Sequence, residues 1–118
     1  MGLEIIRDFW QEKNIPEAEL NMVDGSGLSP LNRITTQAQV SILRYAIKQN
    51  WFKSFYTSLP ELNHLKMKSG TIRGVKGFCG YHTAPNGHQY VFSFLVNNYT
   101  GSSTDLVQKM YKVLNSLK

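Results

Sequence analysis

A chain of 118 residues is one domain's worth of material, since domains run to ~100–150 residues, and this excludes a multidomain enzyme within residues 1–118. With 42% hydrophobic and 18% charged residues, it lies far from the composition of disordered chains and can bury a core. A formal charge of +5 keeps nucleic acid or another anionic polymer in view as a partner without arguing for either.

In chain order, Leu3, Ile6, Phe9 and Trp10 recur at helical spacing up to Asn14, and Pro16 ends the pattern, which predicts a short amphipathic helix. Leu20 to Val23 reads as a short extended stretch. It runs into Asp24-Gly25-Ser26-Gly27-Leu28-Ser29-Pro30, where two glycines and a proline argue for an ordered turn. Thr36 with Gln39 three residues on has the form of a capping box, and Val40, Leu43 and Ile47 supply an apolar face, predicting a helix from about 36 to 49. Trp51, Phe52, Phe55, Tyr56 and Leu59 continue as a shorter helix that Pro60 stops.

After residue 65, Gly70, Gly74, Gly77 and Gly80 punctuate β-compatible residues, and strands take over. Asn86-Gly87 separates two strand-like runs, 77–83 and 88–99, so an antiparallel hairpin is expected there. The segment 90–96 is apolar at nearly every residue, which suits a central strand covered on both faces. Ser102 and Asp105 then open a helix whose Leu106, Met110, Val113 and Leu117 should face inward. The expected fold class is α+β: a single domain over 1–118 with an antiparallel sheet of about three main strands, packed by the last helix and the helices of residues 36–59.

No apolar run approaches the ~18 residues of a membrane span. The start of the chain lacks the basic and unbroken apolar segments of a secretory signal, so either the protein is cytosolic or the chain starts downstream of its own signal. One cysteine, Cys79, supports neither an internal disulfide nor a structural zinc site.

The chemically informative segment is Lys68-Ser69-Gly70-Thr71. A lysine followed by a hydroxyl and a glycine on a strand can hold a carboxylate: Lys68 supplies charge, Ser69 and Thr71 hydroxyls, and Gly70, lacking a Cβ, lets a ligand lie against the strand edge. Taken with Asp24 to Ser29, Asn32-Arg33 and the strand Gly77-Phe78-Cys79-Gly80-Tyr81, it resembles the C-terminal part of the D-alanyl-D-alanine carboxypeptidase/endopeptidase family, the low-molecular-mass penicillin-binding proteins. The resemblance spans most of the chain.

It implies a penicillin-binding-protein or serine β-lactamase-like fold, a serine hydrolase of peptidoglycan stem peptides ending in D-Ala-D-Ala, acylation by β-lactams, and a periplasmic or extracytoplasmic location. No cofactor is implied. Lys68 would steady the proton network of the nucleophile and attract the substrate's terminal carboxylate, which Ser69, in place of the commoner Thr, would bind. Gly70 would make room, Thr71 would add a second hydroxyl, and its backbone N–H would be one of two oxyanion-hole donors. The Asp24 to Ser29 loop would support the cleft, and Ser26 is not expected to be a nucleophile.

The departures are equally plain. No Ser of the chain is followed by Lys three residues on, and no Ser-x-Asn occurs; Ser29 and Asn32 are spaced one residue too far apart. In the family both motifs precede the Asp-Gly-Ser-Gly-Leu-Ser loop, which implies a fragment that is silent without the missing N-terminal part of the same protein. The resemblance leaves carboxypeptidase, endopeptidase, β-lactamase and esterase activities undivided. A rival reading from another class is a small basic module for nucleic acid or an anionic polymer, resting on Lys66, Lys68, Arg73 and Lys76 with Tyr81, Tyr90 and Phe92 as stacking platforms. Against it, aromatics on such strands usually form core, and charges there blunt an edge. Cys79 and His82, three apart on one strand, should point to opposite faces and form no dyad. His64 and His88 lie in turn-like sequence, and three scattered histidines make no metal site.

Overall fold

The computed structural model of the chain describes residues 2–27, 29 and 31–118. Leu28 and Pro30, part of the expected glycine-rich turn, lie outside the described residues, as does Met1. The elements run α1 (Gly2–Glu12), β1 (Leu20–Asn21), β2 (Arg33–Ile34), α2 (Thr36–Ile47), α3 (Phe52–Ser58), β3 (Glu61–Leu62), β4 (Leu65–Ile72), β5 (Val75–Thr83), β6 (Gln89–Asn97) and α4 (Ser103–Leu114). β3-β4-β5-β6 form one antiparallel sheet, and β1 and β2 pair separately. The fold is therefore α+β, as expected, with a fourth short strand that glycine and β-propensity signals did not reveal.

Alternation along the strands sends one set of side chains to each side. Leu65 and Met67 of β4 and Phe78 of β5 point to α4, where Met110 and Leu114 complete a core with Phe92, Phe94 and Val96 of β6 around it. On the other side Tyr81 is edge-on to Phe52 of α3, its hydroxyl donates to the Leu43 carbonyl of α2 (2.7 Å), and the Ser93 hydroxyl of β6 donates to Gln39 Oε1 of α2. A second, smaller core gathers Ile15, Leu20 and Ala38 with Trp10, Met22, Ile34 and Ile42 around them, tying α1 and the β1–β2 pair to α2.

Several local expectations change. The expected central strand 90–96 has only one hydrogen-bonded neighbour among the described residues, and β5 is central instead. Its apolarity reports two covered faces, α4 on one and α2 on the other, and face coverage carries no information about the edge. The N-cap of α2 is Thr35, not Thr36. Its side chain accepts from the Ala38 amide (3.0 Å), and Gln39 is spent on Ser93 rather than on a capping box. In α4, Val113 is 57% exposed and Leu114 takes its inward place, because Leu106, Met110 and Leu114 continue at four-residue steps. Ser102 caps α4 through the Asp105 amide, as its sequence suggested.

Turn chemistry sets the strand lengths. Asn63 and His64, both at positive φ (51° and 63°), join β3 to β4 in a two-residue hairpin, a conformation asparagine tolerates well. Between β5 and β6, the Gly87 amide donates to the Ala84 carbonyl and the Ala84 amide to the His88 carbonyl, with Gly87 at φ 89°. The Asn86-Gly87 hairpin is thus present, with one residue more in its loop than the shortest turn.

Candidate functional site

The Lys68-Ser69-Gly70-Thr71 segment lies on β4, paired on one side to β5 through Lys68–Cys79, Ser69–Phe78, Gly70–Gly77 and Thr71–Lys76. On the other side β3 reaches only Leu65 and Lys66, so among the described residues β4 has an open edge from residue 68 onward. The direction of its amides follows from one bond: the Met67 N–H donates away from β5, to the Pro60 carbonyl (3.1 Å). Since backbone groups alternate sides along an antiparallel strand, the N–H and C=O of Ser69 and Thr71 also face the open edge, while Lys68 and Gly70 bond to β5. An extended ligand laid on this edge would meet those backbone groups.

The side chains straddle that edge. Lys68 and Gly70 project to the α2–α3 side, and Ser69 and Thr71 to the α4 side. The exposed Lys68 turns its ammonium back to the Ser69 carbonyl (2.8 Å). Thr71 Oγ1 accepts from Lys76 Nζ (2.8 Å), which also lies over the Phe78 ring at 5.3 Å. The half-buried Ser69 hydroxyl has no partner among the described residues. A Cβ at Gly70 would meet nothing within 4 Å, so packing within the chain does not require this glycine. The contrast is Gly80, where a Cβ would fall 2.1 Å from the Lys66 carbonyl oxygen: here β4 and β5 approach too closely for any side chain.

Lys68, Cys79 and Ser93 form one row across three strands, and Gln39, in the first turn of α2, closes the row through Ser93. Burial pushes the Cys79 thiol up, only partly opposed by the Lys68 charge, which leaves a protonated thiol rather than a nucleophile. Cys79 and His82 lie on opposite faces of β5 by alternation, as expected. Tyr81, buried under α2 and α3, is pushed up to about 12 by desolvation and then by Cys79. Among the described residues, no group of three or more His, Cys, Asp or Glu could hold a metal ion.

The four cations of the rival binding reading do not make one surface. Lys66 donates to the Leu59 carbonyl and lies over the Tyr56 ring on the α3 side, whereas Lys76 is on the α4 side. Of the proposed stacking rings, Tyr81 is buried and Tyr90 and Phe92 are half-buried. His88 and His64 sit exposed in turns.

The loop before β2 is organised by Asp24. Its Oδ1 accepts from the Ser26 amide (3.0 Å) and hydroxyl (2.7 Å) and, at 3.5 Å, from the Asn32 amide, which holds its carboxyl below the usual range, the Ser26 hydroxyl contributing most. Asn32 Oδ1 accepts in turn from the Val23 amide (2.8 Å). Asp24, Ser26 and Asn32 thus form one hydrogen-bonded network built on an Asx turn at Asp24, where the sequence showed only the glycines and proline of an ordered turn. The loop leads through β2 into the first turn of α2, on the Lys68 face of the sheet.

With this geometry in hand, comparison with known proteins is direct. The family description "D-Ala-D-Ala carboxypeptidase 3 (S13) family" matches residues 1–61, from α1 through α3 and including the Asp24 loop. The chain belongs to this family. Its S13 relatives include the D-alanyl-D-alanine carboxypeptidase of Actinomadura sp. (strain R39), 27% identical over an alignment that covers 91% of the chain and 24% of that protein. Two crystal structures of penicillin binding protein 4 from Haemophilus influenzae, one complexed with a β-lactam, share the fold. Their TM-scores are 0.81 and 0.80 at 23% and 22% identity, over 98% of the chain and 33% and 31% of theirs. The S13 chain thus spans a quarter to a third of the relatives it matches. No helix among its described residues is long and apolar enough to cross a membrane.

Proposed function

We infer that the chain is the C-terminal part of a periplasmic or extracytoplasmic serine D-Ala-D-Ala carboxypeptidase/endopeptidase, acting on peptidoglycan stem peptides and acylated by penicillins. The observation that carries this reading is the open β4 edge: outward backbone donors at Ser69 and Thr71, an ammonium at Lys68 and empty space at Gly70. A peptide added to this edge gains backbone hydrogen bonds for affinity and the charge and hydroxyl for its terminal carboxylate. Lys68 and Ser69, one on each face of the strand, would bracket that carboxylate. The Thr71 N–H would then be one of two donors to the carbonyl oxygen as it gains charge.

The nucleophile belongs to another part of the protein. A serine Oγ would attack the D-Ala carbonyl carbon, its proton passing to a base; the C–N bond breaks and the terminal D-Ala leaves with a proton. Water then hydrolyses the ester. The surface supports this dependence on further chain. Ile5 is 70% and Leu31 63% exposed, α1 buries no residue fully, and among the described residues β6 presents an open edge of the kind that proteins ordinarily pair or protect.

The test is labelling with a fluorescent penicillin. A protein extended through a Ser-x-x-Lys motif should be labelled and the 118-residue chain should not. In the extended protein Lys68→Ala should slow acylation by about 10²-fold, the scale of losing one stabilising group of the site, and more than Ser69→Thr, which keeps the hydroxyl. Stoichiometric labelling of the short chain, or undiminished acylation in Lys68→Ala, overturns the reading.

A further inference from the structure

We propose that the cleft between the C-terminal ends of α1 and α2 binds a phosphodiester of a sugar or polyol, held by Lys13, Arg44 and Lys48. No residue of β4 lines this cleft, and the inference does not rest on the function proposed above. The first sign is in the sequence: from residue 25 to residue 60 there are four basic residues, Arg33, Arg44, Lys48 and Lys53, and no acidic one. The fold gathers two of them, with Lys13 just after α1, around one cleft of about 370 Å³, the size of a small-ligand site.

Helical spacing explains the convergence. Ser41, Arg44, Tyr45 and Lys48 stand at i, i+3, i+4 and i+7 and so share one face of α2. The chain leaving α1 closes the other side. It turns at Asn14, at φ 68°, and the Lys13 ammonium lies over the Phe9 and Tyr45 rings at 5.2 and 5.6 Å. Buried Ile15 and the Trp10 and Tyr45 rings, which meet edge to face at 5.4 Å, give the cleft its apolar lining.

The charges in the cleft do not cancel. Glu12 lines it too, and each helix C-terminus adds about half a negative charge, so the three cations leave a surplus of about one positive charge. A phosphodiester, with a single negative charge, offsets that surplus. Among the described residues, the side chains of Arg44, Lys48, Ser41 and Asn14 have no hydrogen-bond or ion-pair partner, so their donors are available to a ligand. The Arg44 fork suits two phosphate oxygens, Ser41 and Asn14 suit hydroxyls, and the rings offer a surface to the C–H face of the ligand.

The experiment titrates the isotope-labelled chain with glycerophosphoglycerol, following the Trp10 indole N–H and the Ser41 and Lys48 amides by NMR, with dimethyl phosphate and glycerol as comparison probes. The glycerol diester should bind with a Kd of about 1 mM at low salt, more tightly than dimethyl phosphate, which has the same charge and no hydroxyls. Arg44→Gln and Lys48→Gln, both at exposed positions, should each weaken it by about fivefold, Glu12→Gln should strengthen it, and about 0.5 M salt should remove most of it. Vesicles of phosphatidylglycerol separate the two sources of this chemistry. Co-sedimentation that Arg44→Gln abolishes assigns the cleft to a lipid headgroup, and binding of the soluble diester without co-sedimentation assigns it to a free ester. Equal affinity for dimethyl phosphate overturns the sugar or polyol part of the proposal. Absence of any shift in the cleft, or shifts that Arg44→Gln and Lys48→Gln leave unchanged while the amide spectrum elsewhere stays that of the parent, overturns it altogether.

Discussion

Replacing the sheet glycines one at a time separates those the fold needs from the one that only the proposed ligand site needs. At Gly80 an added Cβ would lie 2.1 Å from the Lys66 carbonyl oxygen, 2.6 Å from Met67 Cα and 2.9 Å from its Cβ. Two of these three atoms are backbone, so relief requires β4 and β5 to move apart within a buried ladder. Gly80→Ala should cost about 3 kcal/mol, at the upper end of overpacking penalties. At Gly77 the collision, 2.3 Å, is with Leu95 Cδ2, the end of a flexible side chain that can change rotamer, and about 1 kcal/mol is expected. At Gly70 nothing lies within 4 Å and φ is not positive, so alanine should be neutral or stabilise by up to ~1 kcal/mol by restricting the unfolded chain. Urea unfolding of the chain measures this: at a slope of about 1.5 kcal/mol/M the midpoint should fall by about 2 M for Gly80→Ala and stay or rise for Gly70→Ala. The functional readout should rank the other way, because the Cβ at residue 70 occupies the space proposed for the ligand, and Gly70→Ala should impair acylation of an extended protein without loss of stability. A Gly80→Ala midpoint unchanged from the parent, or Gly70→Ala as destabilising as Gly80→Ala, would refute the reasoning.

Three further substitutions probe the elements that position the site. Tyr81→Phe removes a buried hydroxyl that bonds the Leu43 carbonyl and should cost about 1 kcal/mol at pH 8. Because the folded phenol is pushed up to about 12 from an unfolded value near 10, the parent holds its full stability below pH 10 and loses part of it between 10 and 12. Urea midpoints at pH 8 and pH 11 should therefore show the gap between parent and variant narrowing at the higher pH. Thr35→Ala should cost about 1 kcal/mol by uncapping α2, while Thr36→Ala, exposed in the first turn, should stay within about 0.5 kcal/mol; thermal unfolding of both decides which threonine is the cap.

Much of the candidate site was legible because its signals are local. Lysine, hydroxyl and glycine in succession mark a strand that a ligand can approach, Asp24 to Ser29 marks an ordered turn, and Ser102 with Asp105 marks a helix start, each within a few residues. Which threonine caps α2 was misread, since Thr35 and Thr36 offer the same chemistry one residue apart and Gln39, the apparent partner, is claimed by Ser93 from β6. The hairpin at Asn63-His64 escaped notice because its first strand has only two residues, too few to show a period.

The amino-acid order by itself determined the element types and the hairpin at Asn86-Gly87, and it singled out Lys68-Ser69-Gly70-Thr71 as the candidate segment, all of which depend on propensities and spacings that act over one or two turns of chain. Tertiary structure alone decided that, among the described residues, β5 is central and β6 is at the edge, that Ser69 rather than Lys68 is on the α4 side of β4, that Thr71 gives its hydroxyl to Lys76, and that Gly80 rather than Gly70 is the glycine the fold requires. These outcomes turn on which strand lies beside which. That neighbour is chosen by packing between residues far apart in the chain, and an apolar strand reads the same whether its edges are paired or open.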